Sequence, residues 1–586
     1  MTSLNRFRSS FAVRAIWLPA ALALTLAGCG GESPAPSPAQ DTLAEEAWPT
    51  EVLASASGDT RRAFRDSFTH GLPSTTSEAL FTADFRGEDF AQREGSRAIR
   101  SGLEIQTWQP REAELDRARF IERWTQYLGE LGTVETVESH TWEVQLRPRD
   151  GLRGIELHEA LWILSRTADG RAREERLHLV LDLVELPAAE GDGPVWRLAG
   201  VRSKNGRTVL GPGPFFHDVT QQVLPPGFDQ IGAQIYTDAG PALADFDGDG
   251  DVDLFLPRLH APALLYENDG EGWFDDATAR RGLAINALRE GSNTGLFVDL
   301  DGDGDLDLLV GLKQRGFLAL LADEGRFQAT TDAPFGGEGE WESIAAADYD
   351  GDGAIDFYAC NYGRIDADHQ PESYVDAWDG QPNALFRNLG DGRFEDVTES
   401  TGLAATRERW SYAATWADYD RDGDLDLFVA NDYGPKSLFR NQGLANGNVT
   451  FEEVASAIGA DDQGNGMGAS WLDFDGDLWL DLYASNMQSF AGHRITLLES
   501  FPGDEAQRLL YRRFAAGNTL LKNLGATTEE DGSGERVVTF EDVTDASGAR
   551  GAFWAWGNLA FDSECDGDLD LFVAGGFYTG ASAADT

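Results

Sequence analysis

Six stretches of the chain set acidic side chains at their first, third, fifth and ninth positions and then run into apolar residues. They read DFDGDGDVD from Asp245, DLDGDGDLD from Asp299, DYDGDGAID from Asp348, DYDRDGDLD from Asp418, DFDGDLWLD from Asp473 and DSECDGDLD from Asp562. Positions 1, 3, 5 and 9 are carboxylates in every copy. They are Asp245, Asp247, Asp249 and Asp253 in the first loop, and Asp299, Asp301, Asp303 and Asp307 in the second. The third has Asp348, Asp350, Asp352 and Asp356; the fourth has Asp418, Asp420, Asp422 and Asp426. The last two have Asp473, Asp475, Asp477 and Asp481, then Asp562, Glu564, Asp566 and Asp570. Position 6 is glycine in five copies and Leu478 in the fifth loop, and a glycine there suits a chain that turns with positive φ. Position 7 is Asp251, Asp305, Ala354, Asp424, Trp479 and Asp568, a variety that leaves only the backbone carbonyl as a common ligand. Position 8 is always aliphatic, which predicts a buried plug.

Two carboxylates ~4 Å apart repel by ~4 kcal/mol at an effective dielectric of about 20. Four aimed at one point need a proton or a cation to offset them, and near neutral pH a divalent ion is the cheaper remedy. An all-oxygen set on a flexible loop suits calcium, which takes about six to eight oxygens, better than magnesium. An EF-hand loop is excluded, because it needs Glu at position 12 and flanking helices. Position 12 here is Leu256, Val310, Ala359, Val429, Ala484 or Val573, each inside a run that reads as a strand. A set of unrelated acidic surface turns would not repeat four carboxylates, a glycine and an aliphatic plug six times.

The elements that must hold these loops also repeat. After each loop comes an apolar strand, a strand such as NALFRN or SLFRN, a glycine-rich turn and a strand such as RFEDVT. The pattern D-x-D-x-D-G-x-x-D ahead of an apolar strand resembles the FG-GAP/VCBS repeat of integrin-α-like β-propellers. The later repeats, with DLYASNMQSFAGHRIT, GNTLLKNLG, FEDVT and WAWGNLAFDSECDGDLDLFVAGG, resemble the cartilage-acidic-protein (ASPIC/UnbV-associated) group over about Phe215 to the end. The resemblance implies a mainly β chain whose residues 211–586 form a calcium-binding β-propeller with recognition roles. Six repeats are legible where such propellers often have seven blades, and no ASPIC/UnbV C-terminal module follows. FFHDVT from Phe215 is expected to supply a closing outer strand, and the last blade reads one strand short.

Residues 1–28 read as a signal peptide: Arg6, Arg8 and Arg14 precede an uncharged stretch that ends in LAGC. LAGC resembles the bacterial lipoprotein lipobox, which implies acylation of Cys29 and a lipid anchor. Gly30 after it, in place of Asp, favours the outer membrane or the cell surface of the bacterial envelope. Residues 29–48, rich in Pro, Ser and Gly, read as a tether. Residues 49–210 predict a small α+β domain: a weak helix at Glu78–Gln92, an amphipathic helix over Arg111–Leu131, then four alternating strands. That order resembles the NTF2-like fold, which often has a pocket between helix and sheet. His140, His158 and His178 lie on these strands, either as pocket acid/base groups or as half-buried strand histidines.

The chain has 586 residues and a formal charge of −53, from 100 acidic and 47 basic side chains. Nearly all of the excess falls in the repeats, about −47 against about −5 over residues 49–210. Such a surface repels phosphate backbones and excludes nucleic acid as a partner. Cys360 and Cys565 sit three repeats apart and read as free thiols. Long connections follow the third loop (Asn361–Pro382, with Tyr374 and Trp378) and the fifth (Met487–Asn518), and long loops on a rigid scaffold suit recognition. No HExxH, GxSxG or nucleotide-binding glycine loop occurs, so the reading is a calcium-binding envelope lipoprotein that recognises a protein or glycan. The alternatives are a carbohydrate-active hydrolase or lyase, with its site on the propeller axis or in the middle domain, and a structural module of an envelope assembly.

Overall fold

A computed structural model describes residues 54–576, apart from 72–76, 91–93, 99–103, 109–114, 188–194, 213–218, 226–239, 332–333, 364–369, 446, 499–500, 529–535, 552–553 and 564–566. The signal and tether expectations, Cys29, the closing strand from Phe215 and the ligands Glu564 and Asp566 lie outside these residues. Among the described residues no helix is long and apolar enough to cross a membrane.

Helices α1 (Gly58–His70) and α2 (Arg117–Leu131) cover one face of a seven-stranded sheet. Its strands are β1 (Phe81–Gly87), β2 (Glu94–Ala98), β3 (Glu104–Trp108), β4 (Thr133–Leu146), β5 (Gly154–Arg166), β6 (Ala172–Leu186) and β7 (Val195–Gly211). The order is β2-β3-β7-β6-β5-β4, with β1 parallel to β7. Asp116 starts α2 by accepting the Arg119 N–H, an N-cap worth about 1 kcal/mol. Phe120, Trp124, Tyr127 and Leu131 then fall on its buried face at helical spacing. They fill the space between helix and sheet together with Phe64, Phe68, Phe90 and Trp108, so the place where an NTF2-like pocket was expected is packed with rings.

The helix expected over Glu78–Gln92 is replaced by one short turn, Ser77–Leu80, and the strand β1. Phe81 and Phe85 are four apart, as on a helix, but both pack on Phe120 from an extended chain with a register shift. A Cβ at Gly87 would stand 2.1 Å from the Phe120 ring, so glycine is required where the strand passes under α2. The four long strands alternate as expected. Ile155, Leu157, Leu161 and Ile163 of β5 face the helices, whereas Glu156 and His158 face away.

The repeats form five four-stranded antiparallel sheets, each in sequence order, and one two-stranded sheet. The first holds β8–β11 (Ala242–Ala244, Asp253–Leu256, Leu264–Asn268, Phe274–Asp276) and the second β12–β15 (Ser292–Val298, Asp307–Leu312, Gly316–Asp323, Arg326–Ala329). The third holds β16–β19 (Trp341–Ala347, Asp356–Asn361, Ala384–Asn388, Phe394–Asp396) and the fourth β20–β23 (Ser411–Ala417, Asp426–Asn431, Ser437–Ala445, Asn448–Glu453). The fifth holds β24–β27 (Gly466–Leu472, Asp481–Asn486, Thr519–Thr528, Arg536–Asp542) and the last β28 and β29 (Ala555–Phe561, Asp570–Gly575). The first strands of successive sheets touch one another, a propeller-like array of blades. The second strands of blades two to five are buried along their whole length, between neighbouring sheets, which is why they read as unbroken apolar runs.

The connection after the fifth loop is more than a loop. It holds helices α3 (Phe490–Thr496) and α4 (Glu505–Phe514), the latter started by a capping box between Asp504 and Gln507. From α3, Phe490 stacks on His140, His493 packs on Trp142 and Arg494 donates to the Thr141 carbonyl. The face of the N-terminal sheet turned away from α1 and α2 thus meets the fifth blade's insertion.

Candidate metal centres

Each acidic loop joins the first strand of its blade to the second, and its own aspartates fold it. Position 1 accepts backbone N–H groups from further along the loop, as Asp245 does from Asp249 (3.0 Å) and Gly250 (2.9 Å). Asp299, Asp348, Asp418 and Asp473 repeat this, with a distance of 3.1 Å or less from position 6 in each case. Position 5 accepts from position 7 at 2.9–3.0 Å. The chain has positive φ at positions 4 and 6, for example 73° at Gly248 and 98° at Gly250. Arg421 and Leu478 take such values without being glycine, at 59° and 71°, each at a cost of about 1 kcal/mol.

Position 9 is the buried member. Asp253, Asp307, Asp356, Asp426 and Asp481 are 0–1% exposed. One oxygen accepts the N–H of position 2 (Phe246, Leu300, Tyr349, Tyr419, Phe474) at 2.7–3.3 Å. The other accepts an N–H from the blade's third strand, from Asn268, Ala322, Asn388, Asn441 or Asn523, at 2.6–2.8 Å. Burial pushes these carboxyls up, to about 6 at Asp253, Asp307 and Asp481, about 7 at Asp356 and about 8 at Asp426. Position 3 is raised by burial and then by the neighbouring carboxylate at position 5, at Asp247, Asp301, Asp350 and Asp420. A cation close by would offset both causes.

Carboxylate oxygens of positions 1, 3 and 9 lie within 4.8 Å of one another in the first, third, fourth and fifth loops. In the second loop the gathered set is Asp299, Asp301 and Asp303. Position 7 side chains sit apart from these sets: Asp305 accepts the Glu324 N–H of the neighbouring turn, and Gly270 and Gly443 pack beside Asp251 and Asp424. Trp479 lies under the Arg421 guanidinium of the fourth loop, 4.3 Å from its centre. Of the sixth loop, Asp562 accepts from Gly567 and Asp570 from Ser563.

Sequence reasoning missed the asparagine of the LFRN motif. Asn388, Asn441 and Asn523 donate from Nδ2 to position 8 of their own loop and to position 2 of the preceding blade's loop. Their Oδ1 accepts a turn N–H at 2.9 Å. One buried amide so ties two loops and a turn together, and its recurrence after Arg or Lys was the available signal. The threonine of DVT has a similar use: Thr278, Thr398 and Thr544 accept the N–H that opens the third strand.

The histidines do converge. His158 Nδ1 lies 3.1 Å from His178 Nε2 and His158 Nε2 lies 3.1 Å from Glu156, a contact that spacing alone did not reveal. The cluster is covered by Trp142 and the α3 insertion rather than opening into a pocket. Cys360 is buried with a free thiol. Tyr374 and Trp378 are 39% and 42% exposed; Tyr374 packs on Tyr433 and Phe514, and the Arg409 guanidinium lies 3.8 Å from the Trp378 ring centre.

A model of the FG-GAP-like repeat family matches residues 245–310, 299–359, 365–429 and 418–484, windows that contain the first five acidic loops. Cartilage acidic protein 1 of Homo sapiens is 26% identical over 312 residues, covering 42% of this chain and 46% of that protein. The Mus musculus protein is 26% identical over 314 residues, covering 50% and 46%. The chain thus spans about half the length of the curated relatives it matches. A solved glycoside hydrolase of a mannoside phosphorylase family aligns over 55% of this chain and 85% of its own, at 12% identity and a TM-score of 0.21, too low to carry an argument. Repeated loops, blade topology and matched windows agree: residues 245–484 carry FG-GAP-like repeats, and the chain is similar in sequence to cartilage acidic protein 1.

Proposed function

We propose that the repeats are a calcium-loaded recognition scaffold, held at a bacterial envelope by a lipid on Cys29. The observation that carries it is the gathering of three carboxylate oxygens within 4.8 Å in each of five loops. The ions would be held by Asp245, Asp247 and Asp253 and their counterparts in the third to fifth loops, and by Asp299, Asp301 and Asp303 in the second, with the position 7 carbonyl adding a further oxygen. Bound calcium would supply positive charge that lets the buried position 9 carboxylate stay ionised. The ligand-binding surface lies at the opposite end of the blades, where the two insertions carry Tyr374, Trp378 and α4, and its ligand is a protein or a glycan.

The test is the calcium content of the purified full chain, with its melting followed before and after a chelator. Several calcium ions per chain and a Tm lowered by about 10 °C or more on chelation are expected, because ions that bind only the folded form stabilise it by mass action. A metal-free protein with an unchanged melt would remove the reading. A glycan array and a capture of envelope proteins, each with and without calcium, assign the ligand class.

A further inference from the structure

The metal loops are not equivalent, and the difference lies on a neighbouring strand. The N–H that reaches position 9 comes from Asn268, Ala322, Asn388, Asn441 and Asn523 in the five blades, which fixes their common register. The residue just before it is therefore equivalent in each blade: Glu267, Leu321, Arg387, Arg440 and Lys522.

Its charge reaches the loop. Arg387 lies 3.0 Å from Asp350 and 2.8 Å from Asp352. Lys522 pairs with Asp475 and lies 3.2 Å from Asp477. Arg440 carries the positive charge at this place in the fourth blade and pairs with Glu452 at 3.1 Å. In the first blade, where the place holds Glu267, Arg281 from the following turn bridges Glu267 (2.8 Å) and Asp247 (2.5 Å). Leu321 of the second blade is uncharged and packs on the third blade. Among the described residues no ion pair engages Asp299, Asp301 or Asp303. The second loop also differs in its gathered oxygens: Asp303 of position 5 joins the close set there, whereas position 5 stays out of it in the other four loops, including the third and fifth, where Arg387 and Lys522 hold it.

We propose that this strand position sets the cation affinity of each loop, and that the loop Asp299–Asp307 is the tightest of the five because Leu321 leaves it without a competing positive charge. The inference rests on the calcium reading above. A resident guanidinium or ammonium repels an incoming divalent ion and holds carboxylates the ion must take over. At separations of a few Å, partly screened by solvent, this lowers affinity by about tenfold or more.

Calorimetric titration of the full chain with calcium chloride tests it, comparing wild type with Leu321→Arg, Leu321→Met and Arg387→Leu. The wild type is expected to show one binding phase about tenfold or more tighter than the rest. Leu321→Arg removes that phase, Leu321→Met keeps it, and Arg387→Leu adds a second tight phase. The Met variant controls for lost packing, and the Leu variant reads the same position by gain of affinity, where misfolding cannot imitate the result. The proposal is overturned if the tight phase survives Leu321→Arg in a folded protein, or if Arg387→Leu leaves the titration unchanged. A wild type that binds no calcium instead removes the calcium reading itself, so the two failures are distinguishable.

Discussion

At the acidic end of the blades the same loop recurs, folded by the same hydrogen bonds from positions 1, 5 and 9 and tied to its neighbour by the same asparagine. At the opposite end no two connections are alike. The Asp462 side chain is buried there, 2.9 Å from Lys436, itself fully buried, and also accepts from Arg513 of α4. Burial would raise the Asp462 carboxyl, but Lys436 and Arg513 hold it well below the usual carboxylate range. Nearby Asp432 accepts from Tyr362 and Asn465 and is pushed up to about 6 by burial. Tyr362, Trp410, Tyr433, Tyr374 and Phe514 form one aromatic cluster across the third, fourth and fifth blades. The acidic end keeps more carboxylates than its Arg281, Arg387 and Lys522 can neutralise, whereas the other end carries its counter-charges in its own side chains. On the calcium reading proposed above, one end is governed by an exchangeable ion, the other by packing and fixed ion pairs.

The contrast can be broken most severely at the fixed end. Lys436→Met is expected to cost about 3–5 kcal/mol in urea unfolding with calcium present, since it strips a buried carboxylate of its nearest partner. A loss under about 1 kcal/mol would mean that Arg513 alone suffices, and the distinction between the ends would weaken.

The docking of the N-terminal sheet on α3 should respond to pH rather than to calcium. Burial lowers His140 and His493 and takes His178 down to about 4, helped by the charges of His158 and Lys204. Glu143, which raises His493, and Glu156 face the cluster from β4 and β5, with Arg202 and Lys204 from β7 and Arg512 and Arg550 from the insertion side. Below the ordinary histidine value of 6.5 the undocked chain takes up protons that the docked chain refuses. Docking therefore weakens as pH falls from 6.5 and levels off below about 4, to the extent that undocking uncovers these histidines. Hydrogen exchange over β4 and α3 should rise across that window, and a flat response would show that the interface does not feel these histidines.

The smallest effect sharpens the repeat itself. Leu478 stands at φ 71° and is 72% exposed, so it gains little from burial and bears the left-handed penalty. Leu478→Gly should stabilise the chain by about 1 kcal/mol in thermal unfolding, and an unchanged or lower Tm would show that the fifth loop differs for another reason.

The acidic end was legible because one chemistry is written six times: carboxylates at positions 1, 3, 5 and 9, a glycine at the turn and an aliphatic position 8. The plug expected at position 8 is not buried, since Val252 and Leu569 are 51% and 45% exposed and the rest only partly covered. The second strands were legible for the same reason, as apolar runs buried on both faces. The first β-strand was not, because Phe81 and Phe85 stand four apart in a chain that bulges, and helical and bulged spacing coincide over so short a span. Helix α4 lies in a stretch that reads as a long connection although Asp504 and Gln507 have capping spacing, because its one buried side chain, Phe514, leaves no apolar stripe to read.

By itself the sequence determined which carboxylates gather, since groups within one nine-residue loop are brought together by local turns and need no distant partner. Only the tertiary structure decided how those loops differ and what faces them. The basic residues over the third and fifth loops arrive by strand pairing from 35 and 47 residues away in the chain, and Arg281 reaches the first from 34. The insertion of the fifth blade meets a sheet 353 residues distant. Contacts of that kind depend on how whole sheets pack, and no local spacing encodes them.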